Sequence, residues 1–170
     1  MKVIGIVDNK TKEDNSYTLV KVALNYIAAF NYETEMICTE DFDFGKESRE
    51  LDALKESLDK TDAVIFGTSI TFTKGINGIN VFLEWMNTLN INFSSKVAGS
   101  ILLIEPEESA DIVNEEILNN KVKEKGFNVI SDVVFTKVSE ENDIRNNTYA
   151  LSKALKIGED IQSHLKNSNM

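Results

Sequence analysis

Side chains suited to holding an anion collect between residues 8 and 18. They comprise the amide and hydroxyl donors Asn9, Asn15, Ser16 and Thr18, and positive charge from Lys10 or Lys12. An amphipathic helix is predicted to begin here, and the free N–H groups and dipole of a helix N-terminus favour an anion. Asp8, Glu13 and Asp14 would repel a phosphate dianion. A phosphate loop and an ordinary polar helix cap therefore stay open as alternatives.

A second candidate segment runs from Gly67 to Gly75, where hydroxyl and apolar side chains alternate. The residues concerned are Ser69, Ile70, Thr71, Phe72 and Thr73. Such a loop can present backbone N–H groups and an aromatic edge to a flat ligand. The alternative is that Ile70 and Phe72 simply pack on the core. A third segment, Glu105–Ala110, carries three carboxylates, which we expect to cap the helix that follows.

The overall composition excludes several classes of function. The formal net charge is −10, and no basic cluster offers a footprint for nucleic acid or for acidic lipids. A single cysteine, Cys38, rules out an intrachain disulfide, and the single histidine, His164, argues against hydrolase chemistry. The first residues turn polar too early for a signal peptide, and no apolar run reaches membrane-spanning length. We therefore expect a cytoplasmic protein.

Predicted strands and helices alternate regularly along the chain. Short apolar runs predict five strands: Val3–Val7, Thr34–Thr39, Ala63–Phe66, Val97–Ile104 and Val129–Val138. Apolar residues at three- and four-residue spacing predict five helices: Leu19–Phe30, Leu51–Lys60, Ile76–Met86, Ile112–Gly126 and Ile144–Leu165.

This alternation predicts an α/β fold with a doubly wound five-stranded parallel sheet in the order 2-1-3-4-5. Residues 1–170 then form a single domain whose tail, 166–170, is frayed. Ligands of such sheets bind beyond the carboxyl ends of the strands at the switch point. We therefore expect the three candidate segments to meet there.

A family resemblance becomes visible around Gly67. Asp62–Phe72, followed by Gly75–Glu84, resembles the NADPH-dependent FMN reductase branch of the flavodoxin-like superfamily, with its Gly-Thr-Pro-x-Tyr loop and the helix after it. Asn15–Leu19 is similar to the last residues of that family's first loop. The chain departs from the family pattern at Ser69, in place of proline, and at Thr71, in place of tyrosine. The first loop also has no arginine.

The resemblance implies a flavodoxin-like three-layer sandwich and an FMN-binding oxidoreductase of flavin reductase type, with NAD(P)H as the donor. It implies that Asn9–Thr18 hold the FMN phosphate and that Ser69–Thr73 line the isoalloxazine ring. The flavin carries the redox chemistry, so no acid–base residue is needed. It also implies a homodimer or higher homo-oligomer, for which Phe72, Trp85 and Met86 are candidate exposed contacts; for Trp85 the alternative is a place between helix and sheet.

Two other functions stay open. One is a flavodoxin-like domain that has lost its flavin and serves as a binding or assembly module, which the missing arginine and the acidic loops favour. The other is a small electron carrier like the flavodoxins, although the first loop lacks the glycine usual in their phosphate loops.

Overall fold

The computed structural model of the chain describes residues 1–8, 15–70, 77–104, 117–136 and 143–168. The strands are β1 (Lys2–Val7), β2 (Glu33–Cys38), β3 (Ala63–Ile70), β4 (Val97–Ile104) and β5 (Asn128–Thr136). The α-helices are α1 (Asn15–Ala28), α2 (Arg49–Asp59), α3 (Asn77–Met86), α4 (Ile117–Glu124), α5 (Asp143–Asn146) and α6 (Thr148–Asn167). A short 3₁₀ turn, Thr39–Asp41, follows β2.

The five strands form one parallel sheet in the order β2-β1-β3-β4-β5. Helices cover both faces because parallel strands are joined by crossovers and bury apolar side chains on each side. Residues of α1, α5 and α6 form the core on one face, and residues of α2, α3 and α4 form the core on the other. The predicted fold class and strand order are confirmed.

Helix α1 packs closely on β1 and β3. Val20 of α1 points down between Gly5 of β1 and Gly67 of β3, which are the small positions on two adjacent strands. A Cβ atom added at Gly5 would lie 2.5 Å from Val20 Cγ1, and one added at Gly67 would lie under 3.0 Å from Val20 Cγ2. The two glycines therefore form a notch that Val20 fills.

The close packing of α1 on Gly67 explains why β3 is longer than the sequence predicts. The sequence predicts that β3 stops at Gly67, because glycine weakens strands. The strand instead continues to Ile70 and pairs with β4 through Ile104. Glycine is needed at position 67 because α1 packs directly over it. The strand does not end there.

The fifth strand contains a β-bulge where the sequence shows two consecutive polar residues. The register with β4 shifts by one residue between Ala98 and Gly99, which leaves Ile130 as the extra residue. Ser131 consequently faces α6 and donates to Asp160 at 2.9 Å, while Asp132 faces α4 and accepts from Asn119 at 2.7 Å. Each polar side chain thus finds a partner on its own face of the sheet.

The last predicted helix is divided in two. Asn147 separates α5 from α6, and its side-chain oxygen accepts from the Ala150 N–H at 3.0 Å. Asparagine is a strong N-cap residue because it satisfies a backbone donor that the first helical turn leaves unpaired. At the other end of the fold, Gly126 follows α4 with φ of +96°, the conformation expected of a helix-ending glycine.

Charged groups at the amino edge of the sheet are used structurally. The buried Lys96 ammonium donates to the carbonyls of Asp59, at 2.8 Å, and Thr61, at 2.6 Å, and so closes the end of α2. Burial holds the pKa of Lys96 below its ordinary value, although Asp59 and Asp62 oppose this.

Nearby, Lys2 pairs with Glu35 at 2.7 Å. Partial burial acts to raise the pKa of Glu35, but the bonds from Lys2 and from a serine outweigh it and lower that pKa.

Replacing Gly67 by alanine is expected to lower the free energy of unfolding by about 1–3 kcal/mol, since the new methyl group overlaps Val20. Urea denaturation measures the change. In the double variant with Val20→Ala, the loss is expected to be smaller than the sum of the two single losses, because the alanine methyl occupies part of the vacated notch. Gly45→Ala, in an exposed loop, is the control and should change stability by less than about 0.5 kcal/mol. Strict additivity of the two substitutions would contradict this packing.

Candidate functional site

The described part of the chain contains half of the ligand residues that the sequence predicts. Asn15, Ser16 and Thr18 lie in the first turn of α1, and Ser69 and Ile70 end β3. The remaining predicted residues lie outside the described ranges: Asn9, Lys10, Thr71, Phe72 and Thr73. The segment Glu105–Ala110 lies outside them as well. Those assignments stay predictions.

The topology brings the first turn of α1 to the carboxyl ends of β1 and β3. Val7, the last residue of β1, pairs with Gly67 of β3. The carbonyl oxygen of Ser16 lies 3.4 Å from the position that a Cβ atom would take at Gly67. Ser16 is completely buried, so the helix starts against the sheet and not out in solvent. These three chain segments form one edge of the switch-point crevice, next to the final residues of β3.

An additional polar pair sits at the same point. The side chain of Thr68, completely buried in β3, donates a hydrogen bond to Oδ2 of Asp8, the residue directly after β1. The second oxygen, Oδ1, is shielded from solvent. Neither residue is among the ligand residues that the sequence predicts. The sequence signal for Asp8 and Thr68 is their position directly after a buried strand segment, at the edge where the candidate segments are expected to meet.

The donors at this edge suit a flavin in part. The first turn of α1 contains no acidic residue, and its amide and hydroxyl side chains match the needs of a phosphate or of polar ring atoms. Ser69 adds a partly buried hydroxyl group at the end of β3. The negative charge of the Asp8 carboxylate would repel the phosphate of an FMN molecule.

The residues predicted to be exposed dimer contacts are not all exposed. Met86 is buried, with 2% of its surface exposed, and belongs to the core beneath α3. Trp85 is partly buried, with its ring centroid 5.2 Å from that of Phe44 and 5.8 Å from that of Phe82. The alternative reading of Trp85 as a packing residue is therefore the better one. Phe72 lies outside the described residues.

Among the residues that the structure describes, no helix is long and apolar enough to cross a membrane. Within the same ranges, no group of three or more histidine, cysteine, aspartate or glutamate side chains is arranged to hold a metal ion.

No family model matches the chain, and no curated protein matches it in sequence. Solved structures do match. An NADH:FMN oxidoreductase in its apo form superposes with a TM-score of 0.76 at 14% identity, over 96% of this chain and 89% of that one. A flavodoxin from the domain Archaea superposes with a TM-score of 0.67 at 16% identity, over 98% of this chain and 99% of that one.

Rubredoxin:oxygen oxidoreductase from the anaerobe Desulfovibrio gigas matches with a TM-score of 0.74 at 12% identity. The match covers 99% of this chain but 37% of that protein. Identities this low establish the fold and nothing finer. The chain thus has the flavodoxin-like fold, and its structural neighbours include flavodoxins and an NADH:FMN oxidoreductase.

Replacing Thr68 by valine is expected to lower the free energy of unfolding by about 1.5–3 kcal/mol, the range for a hydrogen bond to a charged group. Valine keeps the shape but leaves the shielded carboxylate of Asp8 without this donor. Denaturation in urea at neutral pH measures the loss. Thr88→Val is the matched control, because that hydroxyl is exposed and water replaces its bond to the Trp85 carbonyl. Equal losses for the two variants would contradict a special role for the Asp8–Thr68 pair.

Proposed function

We propose that the chain is a flavin-dependent oxidoreductase of flavin reductase type, which binds FMN at the switch-point crevice and takes electrons from NAD(P)H. One observation carries the proposal: the buried start of α1 meets the carboxyl ends of β1 and β3 around Gly67. That edge is where open α/β sheets bind their ligands. The neighbouring structures and the motif resemblance point to a flavin as the ligand.

The proposed roles of the chain's residues are to bind and to orient. Asn15, Ser16 and Thr18 lie in the first turn of α1, the end of a helix whose dipole favours an anionic group of the ligand. Ser69 lies at the end of β3, where the flat ring system would sit. When bound, the flavin supplies hydride and electron transfer, which side chains cannot supply themselves.

The position of the single histidine argues against a histidine general base at the crevice. Ile161 of α6 packs over Gly99, near the start of β4. His164 is one turn further along the same helix, and so lies toward the amino edge of the sheet, away from the crevice. A histidine-dependent mechanism at the crevice is therefore disfavoured. A homodimer formed through the loop after β3 and a cytoplasmic location stay predictions.

Purified full-length protein is expected to quench the fluorescence of added FMN saturably and to oxidise NADH or NADPH only when FMN is present. Thr18→Val should weaken FMN binding about fivefold through the loss of one hydroxyl donor. Thr88→Val, which changes the same groups at an exposed site away from the crevice, should leave the affinity unchanged. Absence of both quenching and FMN-dependent oxidation would overturn the proposal and favour a binding module without flavin.

A further inference from the structure

Helix α3 carries apolar side chains on its outer side as well as on the side that faces the core. Val81, Glu84 and Trp85 lie three and four residues apart, so their side chains share one face of the helix. Val81 is 50% exposed, although valine is a residue type that folding usually buries. Trp85 is partly buried and is the single tryptophan of the chain. The helix therefore presents apolar surface to solvent beside its buried face.

Two aromatic rings from the loop after β2 extend this surface. The 3₁₀ turn that precedes the loop contacts α3, and the ring of Phe44 lies 5.2 Å from that of Trp85, centroid to centroid. Phe42 stacks on Phe44 at a centroid distance of 5.8 Å. Both phenylalanines are partly buried against the core. Phe42, Phe44, Val81 and Trp85 thus form one continuous surface, which we call the apolar ledge.

Exposed carboxylates border the apolar ledge. Asp43 stands between the two phenylalanines in the sequence and is paired with Lys46 at 2.8 Å. Glu40 and Glu47 are exposed in the same stretch of chain, and Glu84 is exposed on α3 beside Val81 and Trp85. Among the described residues, the stretch 39–48 and α3 therefore carry more negative than positive charge.

This negative excess does not depend on the segment that joins β3 to α3. Residues 71–76 contain one charged side chain, a lysine, which is too little to balance the carboxylates of the stretch 39–48 and of α3. The border of the apolar ledge is consequently acidic wherever that lysine lies.

An apolar centre with a polar border is the arrangement of a protein–protein interface. Aromatic side chains supply much of the binding energy when such a centre is covered. The charge of the border decides what can cover it. In a two-fold dimer through this face, each acidic border would meet the same border of the second copy, which costs free energy. A basic border on the partner gains free energy instead and speeds association.

We propose that the apolar ledge is a docking surface for a protein whose contact face has an apolar centre and a border of lysine and arginine. The ledge lies on the outer side of α3 and the loop after β2, whereas the proposed flavin site concerns the ends of β1 and β3. The docking proposal therefore stands independently of the proposed function.

The first test uses Trp85 as a reporter, because all tryptophan fluorescence of the chain comes from the apolar ledge. In the free protein, acrylamide is expected to quench this fluorescence. Relative to a free tryptophan derivative, caesium ions should quench more and iodide less, because the acidic border attracts cations. Emission that acrylamide leaves unquenched, or iodide quenching that exceeds the caesium effect on this relative scale, would overturn the proposal.

The second test adds a stand-in for the partner, an amphipathic helical peptide made of leucine and lysine only, with the lysines on one face. The peptide is expected to bind, to shift the Trp85 emission to shorter wavelength, and to bind more weakly as salt is added. A peptide of the same pattern made of leucine and glutamate should bind about tenfold more weakly, because its charges repel the acidic border.

Matched variants locate the binding. Val81→Ser should weaken binding of the leucine–lysine peptide about fivefold through lost apolar contact, and Glu84→Gln about threefold through one lost charge. Leu155→Ser and Glu159→Gln are the controls. Leu155 is 39% exposed, and both residues belong to α6 on the opposite face of the sheet, so binding should not change.

Three further results would overturn the proposal. One is Val81→Ser and Leu155→Ser with equal effects, or with none, because the peptide would then bind elsewhere. Another is equal affinity for the two peptides, which would exclude a role for the acidic border. The last is a dimer in sedimentation that Val81→Ser dissociates, which would assign the apolar ledge to a second copy of this chain.

Discussion

The seating of Val20 in the notch formed by Gly5 and Gly67 is the contact on which the rest of the structure depends. It sets the distance between α1 and the two central strands of the sheet. Because the helix cannot shift outward without opening a cavity there, its first turn is held against the ends of β1 and β3. The shape of the crevice therefore depends on the packing of an apolar side chain about one helical turn from Ser16.

The two edges of the sheet use charge differently. At the amino edge, the ammonium groups of Lys96 and Lys2 are satisfied by carbonyls and carboxylates within the fold, and they hold helix and strand ends together. At the carboxyl edge, the buried Thr68 hydroxyl group holds the carboxylate of Asp8 beside the start of a helix. At both edges, charged groups thus join neighbouring elements: β1 to β2 at the first, and the residue after β1 to β3 at the second.

The sequence was sufficient to predict the fold class and the strand order, since alternating apolar runs leave few α/β topologies. The predicted end of β3 is wrong, because the sequence alone does not distinguish a glycine that a crossing helix requires from a glycine that ends a strand. It could not foresee the bulge at Ile130, because whether Ser131 and Asp132 break a strand depends on partners in α4 and α6. Likewise, the burial of Met86 follows from tertiary packing, and the Asp8–Thr68 bond joins residues 60 positions apart.

The most direct measurement of the central claim is a map of amide chemical shifts in isotope-labelled protein as FMN is added. Binding at the switch-point crevice predicts that the amides of Asn15–Thr18 and of Thr68 and Ser69 shift together and saturate, while those of Glu33, Asp62 and Val97 at the amino edge stay in place. Shifts confined to the amino edge, or spectra that FMN leaves unchanged, would contradict a flavin site at the carboxyl ends of β1 and β3.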